Sequence, residues 1–125
     1  MRTFALLTLL CACGASPGGH ITVNFPADLV GDGFLHVAVY DSGSCSGVNL
    51  PFNLDEAIAR STDPAVFDGE GKHPISLSAV PAGEDRLLVA VVEQDGEQVC
   101  FGCAEGLLIA DGETSQATIT LSGCP

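Results

Sequence analysis

The sequence predicts an all-β protein, specifically an antiparallel β-sandwich of about seven strands. Apolar and polar residues alternate with a two-residue period in several short segments, which is typical of strands with one buried face. Turn-forming residues separate these segments at frequent intervals, and no stretch has the length and period of a long helix. The 125 residues suffice for one compact domain, which we place at residues 20–125.

Residues 1–12 have the three parts of an export signal. Arg2 supplies a positive start, an apolar run (FALLTLL) follows, and small residues come after it. Even when the following CAC is counted, this run has only about ten residues, fewer than the roughly 20 apolar residues that a membrane-spanning helix requires. The segment therefore predicts a signal peptide rather than an anchor helix.

The end of this signal resembles the lipobox of bacterial lipoproteins, because Leu10 stands three residues before Cys13 and a small residue directly precedes that cysteine. The resemblance implies a diacylglycerol thioether on Cys13, cleavage before it, and acylation of the new amino terminus with a fatty acid such as palmitate. Residues 13–19 then form a flexible tether. Gly14 stands where the family's inner-membrane retention signal has an aspartate, which favours the outer membrane of the cell envelope. Cleavage near Ala15 would instead release a secreted protein.

Two strands are predicted in the first part of the domain, one from His20 onward and one in the segment 33–41. Each alternates apolar with polar or small residues, so each has one face suited to a core. The predicted inward residues are Ile21, Val23 and Phe25 in the first strand, and Leu35, Val37 and Val39 in the second.

A long irregular connection is predicted for residues 43–72, which are rich in Gly, Pro, Ser and Asp. Within it, one short helical turn is predicted near residues 54–60, because Leu54 and Ile58 have helical spacing and Asp55 stands near the start.

Four further strands are predicted in the second half of the chain. Residues 73–80 alternate, and residues 86–103 contain two β-rich runs joined at Asp95 and Gly96, a dipeptide that favours a tight hairpin turn. Residues 115–121 close the domain. The predicted inward residues are Ile75, Leu77 and Ala79 in the first of these segments, and Ala117, Ile119 and Leu121 in the last.

The stretches LSAVPAGEDRLLVAVVEQDGE and GLLIADGETSQATITL, which lie within residues 74–121, resemble transthyretin-like or carboxypeptidase-regulatory-like domains. In those domains a short strand, a Pro-x-Gly turn and a long strand follow one another, and a hairpin ends the fold. The resemblance implies a transthyretin-like or immunoglobulin-like sandwich, which is common as an extracellular module and implies no reaction by itself. The first half departs from the family pattern through a cysteine-bearing loop and an acidic insertion.

Four cysteines remain for the folded domain, since Cys11 leaves with the signal and Cys13 is the lipid acceptor. They are Cys45, Cys100, Cys103 and Cys124. In an exported domain this even number predicts two disulfides, with three pairings open to them. Residues three apart in a strand point to opposite faces, so Cys100 and Cys103 would find different partners. We prefer the pairs Cys45 with Cys103 and Cys100 with Cys124, although the sequence does not decide the connectivity.

Other sites have weaker signals, and we predict no catalytic residue, metal ligand or cofactor. Zinc usually requires two close cysteine pairs, and only one is present. Carboxylates in the segments 31–33, 68–73 and 93–97 could attract calcium, but turn chemistry explains each Asp-Gly pair and none has the spacing of a known calcium loop. The three histidines are scattered through the domain: His20, His36 and His73.

The formal net charge of −12 disfavours nucleic acids and anionic membrane surfaces as partners. Two function classes remain. The first is a non-enzymatic module of the cell envelope, lipid-anchored, with a structural role or with a protein or glycan ligand at the loop 43–72. The alternative is a secreted thiol-redox protein or small enzyme that uses Cys100 and Cys103, although a redox pair of the thioredoxin type begins a helix rather than following a hairpin.

Overall fold

The structure, a computed structural model, describes residues 18–26, 29–68, 71–122 and 124. The predicted signal peptide and Cys13, the predicted lipid acceptor, lie outside these residues. Seven strands are present: β1 (Gly18–Asn24), β2 (Val30–Tyr40), β3 (Ala59–Asp68), β4 (Lys72–Ser78), β5 (Gly83–Gln94), β6 (Glu97–Ile109) and β7 (Thr114–Thr120). Among the described residues, no helix is long and apolar enough to span a bilayer.

The strands form two sheets, one of three strands in the order β4-β1-β7 and one of four in the order β3-β2-β5-β6. Their inner faces share one apolar core, so the predicted all-β sandwich is confirmed. Four of the strand pairings are antiparallel, whereas β1 and β7 run parallel, with Gly18 beside Thr114 and Asn24 beside Thr120. The parallel pairing differs from the expected antiparallel arrangement.

The predicted inward residues face the core in all but one position, although Phe25 and Ala117 are only half-buried against it. The residues that are buried as expected are Ile21, Val23, Leu35, Val37, Val39, Ile75, Leu77, Ile119 and Leu121. The prediction was wrong for Ala79, which is exposed and has a left-handed φ of 59°, because β4 ends at Ser78 and the chain turns there toward the other sheet. Val80 is buried in its place.

The prediction of an irregular connection over residues 43–72 was wrong in its second half, where β3 forms ten residues of regular strand. The helical turn predicted near 54–60 is a 3-10 turn at Leu54–Glu56, and a second such turn lies at Cys45–Gly47. β3 lies at the edge of its sheet, and only Ala65 and Phe67 of its side chains are buried. A half-exposed edge strand therefore lacks the strong apolar alternation of an interior strand.

The hairpin between β5 and β6 turns at Asp95 and Gly96, which have φ values of 54° and 80°. This confirms the predicted turn, since a tight hairpin requires positive φ at both central residues. The hairpin lies at the end of the sandwich where β1 finishes and β2 begins. Gly18, the first described residue, lies at the opposite end, beside the turn before β7, where its N–H donates to the carbonyl of Glu113.

Candidate binding surface on the outer face of the four-stranded sheet

The outer face of the four-stranded sheet is covered over one half and open over the other. The segment between β2 and β3 (residues 41–58, the cover) lies across the covered half and closes off a second apolar cluster beneath it. This cover explains why β5 is buried at every position from Arg86 to Val92, with no alternation. The buried members of the cluster are Ala38, Tyr40, Val48, Leu87, Val89 and Val91.

Specific contacts hold this cover in place. The disulfide between Cys45 and Cys103 links it to β6, with a Cα–Cα distance of 5.7 Å. The Gln98 side chain bonds both backbone groups of Phe52, accepting from its N–H at 2.6 Å and donating to its carbonyl at 3.0 Å. Val48 of the covering segment is buried, and Leu50, Phe52 and Leu54 are half-buried where the segment packs onto the sheet.

Tyr40 lies beneath this cover. Its hydroxyl donates to the Asn53 carbonyl at 2.9 Å, and its ring packs edge-on against Phe52 with centroids 5.2 Å apart. Burial raises the pKa of the Tyr40 phenol above its usual value, because the charged phenolate would lose hydration there.

The second disulfide lies on the other side of the same strand. Cys100 is buried in the inner core and pairs with Cys124, whereas Cys103 faces the cover. These are the two pairs preferred from the sequence, and the sulfurs separate as the strand geometry requires.

The open half carries apolar side chains that water reaches freely. Among the described residues, the large apolar side chains that stand exposed are Val30, Phe34, Val66 and Leu108, at 62%, 46%, 75% and 58%. The first three form one patch, because Val66 stands across from Asp32, and Val30 and Phe34 lie two residues to either side of Asp32 on the same face, diagonal to Val66. The patch borders an open groove of about 540 Å³, whose lining is Asp32, Gly33, Phe34, Pro64, Ala65, Val66, Glu93, Asp95 and Gly96.

Gly33 lies in the floor of the groove, at a point where β2 and β5 approach too closely for a larger residue. A Cβ at this position would overlap the carbonyl oxygen of Glu93 and lie 3.2 Å from the Phe67 ring. The ring therefore fills the inner side beneath Gly33, and β2 passes close to the end of β5.

A row of three polar side chains borders the patch where the cover begins. His36 Nε2 lies 2.7 Å from Glu93 Oε1, and His36 Nδ1 lies 2.8 Å from Thr62 Oγ1. With a neutral imidazole, Nε2–H donates to the carboxylate and Nδ1 accepts from the hydroxyl. A hydroxyl, an imidazole and a carboxylate in this order can perform nucleophilic chemistry, but acyl transfer also requires N–H donors aimed at the substrate. The backbone N–H groups here lie in the plane of the sheet.

The remaining residues singled out from the sequence are not brought together. His20 Nδ1 lies 3.1 Å from Ser76 Oγ, and His73 Nε2 lies 3.6 Å from an Asp63 oxygen. Within the described part of the chain, no three His, Cys, Asp or Glu side chains are grouped so as to hold a metal ion. Part of the acidic segment 68–73 lies outside the described residues.

The predicted ligand site at residues 43–72 includes three residues that line the groove, Pro64, Ala65 and Val66, but the contribution of β2 was not predicted. The signal for Phe34 was present, since alternation in β2 puts it on the face of His36 rather than that of Leu35. No comparable signal marked Val66, because β3 was not predicted. Comparison of the chain with protein-family models, curated proteins and solved structures finds no match. The resemblance to transthyretin-like domains therefore stays a prediction.

Proposed function

We propose that this chain is a non-enzymatic binding module of a bacterial cell envelope, lipid-anchored through Cys13, which holds its partner on the open half of the outer face. The observation that carries the proposal is the patch of Val30, Phe34 and Val66 on the open half of the sheet. Adjacent exposed apolar side chains with a polar rim are typical of interaction sites.

The compartment follows from the disulfides. Two disulfides in a domain of this size indicate an oxidising, extracytoplasmic environment. The signal segment and the lipobox resemblance at Cys13 support the lipid anchor, and Gly14 supports the outer membrane. Two or three acyl chains would hold the protein firmly, because each buried methylene contributes about 0.8 kcal/mol.

The geometry suits an anchored binder. Gly18 lies at one end of the sandwich and the groove at the other, with β1 spanning roughly 20 Å between them. A tether attached before Gly18 would therefore leave the groove at the end remote from the membrane. A partner could reach it without contacting the bilayer.

The anchor is tested with Cys13→Ser in the full chain. We expect the variant to move from the membrane fraction to the soluble fraction, and the mature native protein to begin at residue 13 with added lipid mass. A variant that still sediments with membranes would show that something other than acyl chains retains the protein.

The binding face is tested by placing a photo-crosslinking amino acid at Val66 or, as the matched control, at Leu108, in cells that produce the chain. Both side chains are exposed, but only Val66 borders the groove. We expect a discrete adduct from position 66 that disappears when Phe34→Ser is added. Equal products from both positions would show that the patch has no dedicated partner.

A thiol count separates this proposal from the redox alternative. Cys100 and Cys103 lie on opposite faces and each is bonded to a distant cysteine. The binding module should therefore show almost no free thiol when folded and oxidised. A readily reduced disulfide that exchanges with other thiols would favour the redox alternative.

A further inference from the structure

We infer that the open half of the outer face binds an extended cationic segment of another protein, in which a basic residue alternates with apolar ones. This inference rests on the proposed function, because it names the occupant of the same surface. Three features of the surface support it: the charge of the groove, the spacing of the residues along β2, and the position of Pro64 in the edge strand β3.

The charge around the groove requires a positive occupant. Three carboxyl groups line it, those of Asp32, Glu93 and Asp95, and no basic residue is among the described residues that line it. Desolvating them against an apolar or anionic partner would be unfavourable, whereas Lys or Arg side chains compensate the charge. Phe34 and Val66 stand among these carboxyl groups, so the occupant must bury apolar surface as well.

The positive charge has to come from another molecule. The chain has only four Lys and Arg residues, with Arg2 in the predicted signal. Arg60 contacts Asp55 and the Leu54 carbonyl, and Arg86 is buried against Asp41 and nearby carbonyls. Lys72 begins β4 in the other sheet and does not line the groove. A second copy of the chain, with a net charge of −12, would be repelled, as would nucleic acids and anionic lipids.

The spacing of the patch indicates the order of side chains in the occupant. Along β2 the outer face presents Val30, Asp32 and Phe34 in succession, about 6.6 Å apart at two residues per step. An extended peptide presents its own alternate side chains at the same spacing. A segment that runs along β2 would therefore match this row with an apolar, a basic and an apolar residue at every second position.

The occupant docks on the face of the sheet rather than adding a strand to its edge. β3 is the edge strand beside the groove, and Pro64 in its middle has no N–H to donate to an added strand. Recognition must then rest on side chains, which is what the alternating apolar and acidic positions provide.

The experiment uses a short synthetic peptide in which leucine, serine, lysine and serine repeat, titrated calorimetrically against the mature protein. Two matched peptides replace every lysine by glutamate or every leucine by serine. We expect saturable binding of the lysine–leucine peptide alone. Raised salt should weaken it, because the carboxyl groups are solvent-accessible and screening reduces their attraction.

Variants locate the peptide on the surface. Phe34→Ser and Val66→Ser should each weaken binding about tenfold, as expected when one large apolar contact is lost. Leu108→Ser, an equally exposed change away from the groove, should leave affinity unchanged. Asp32→Asn should weaken binding about threefold at low salt, and less at high salt. Far-ultraviolet circular dichroism and the urea midpoint check that each variant is folded.

The outcomes separate this inference from the proposed function. No saturable binding, equal binding of the glutamate peptide, or equal affinity of Val66→Ser would each overturn the cationic occupant. The crosslink at position 66 in cells tests the proposed function independently of any peptide. A polysaccharide in that crosslink would overturn the peptide inference and leave the binding module intact.

Discussion

Replacing both Cys45 and Cys103 by alanine should destabilise the domain by about 4 kcal/mol and loosen the segment that covers Tyr40. The disulfide closes a stretch with a sequence separation of 58 residues, so its removal restores considerable freedom to the unfolded chain. The chain-entropy relation gives about 4 kcal/mol for a loop of this length. A domain of this size has a free energy of unfolding of about 5–15 kcal/mol, so the variant should still fold.

Urea unfolding measures the loss of stability. With a slope of about 1.5 kcal/mol per molar, the midpoint should fall by about 3 M. Tyr40 reports on the cover, because it is the chain's single tyrosine and there is no tryptophan. We expect acrylamide to quench Tyr40 fluorescence more strongly in the folded variant than in the wild type. Without the disulfide, the cover moves away from Tyr40 more often, and Phe52 and Asn53 then no longer shield the ring.

The matched control replaces Cys100 and Cys124 by alanine. Their sequence separation of 24 gives a predicted loss of about 3.5 kcal/mol, and this pair does not hold the cover. Tyr40 should therefore remain shielded in the control at low urea. The reasoning is refuted if the Cys45/Cys103 variant unfolds at the wild-type midpoint, or if both variants expose Tyr40 equally.

Three further changes test other parts of the structure. Gly33→Ala should destabilise the domain by about 1–3 kcal/mol in thermal unfolding, because the added methyl overlaps a backbone carbonyl of β5, whereas Gly47→Ala, with open space around it, should not. Gln98→Ala should cost about 1–3 kcal/mol in urea unfolding, because the backbone N–H and carbonyl of Phe52 lose their partner; an unchanged midpoint would contradict this. Tyr40 should ionise above about pH 10 in an ultraviolet absorbance titration, since burial raises its pKa. The folded state then holds this proton more tightly, so the contribution to stability is intact below pH 10 and is lost as the pH rises further.

Local signals predicted much of the fold. The Asp95-Gly96 turn follows from the φ values those residue types accept, and the inward faces of β1, β2 and β7 follow from alternation. The separation of Cys100 from Cys103 follows from strand geometry alone. These features depend on neighbouring residues, which is why the sequence contains them.

Features that depend on distant parts of the chain were not predictable in the same way. β3 was missed because its outer side chains, such as Val66, are exposed and Pro64 interrupts the strand signal. The parallel pairing of β1 with β7 depends on the path of the whole chain. The unbroken apolar run in β5 indicates a strand that is buried on both faces. No nearby residue, however, indicates which segment covers the outer face.

The position of β1 has a mechanical consequence. It lies between β4 and β7 and is paired with both along its whole length from Gly18 to Asn24. A force applied to the chain at Gly18, and resisted by a partner bound at the opposite end of the sandwich, would act along the strands. The two rows of backbone hydrogen bonds would then be loaded together in shear, instead of opening one after another like a zipper. A domain tethered through a central strand would resist a pulling force on its partner better than a domain whose first strand lies at the edge of a sheet.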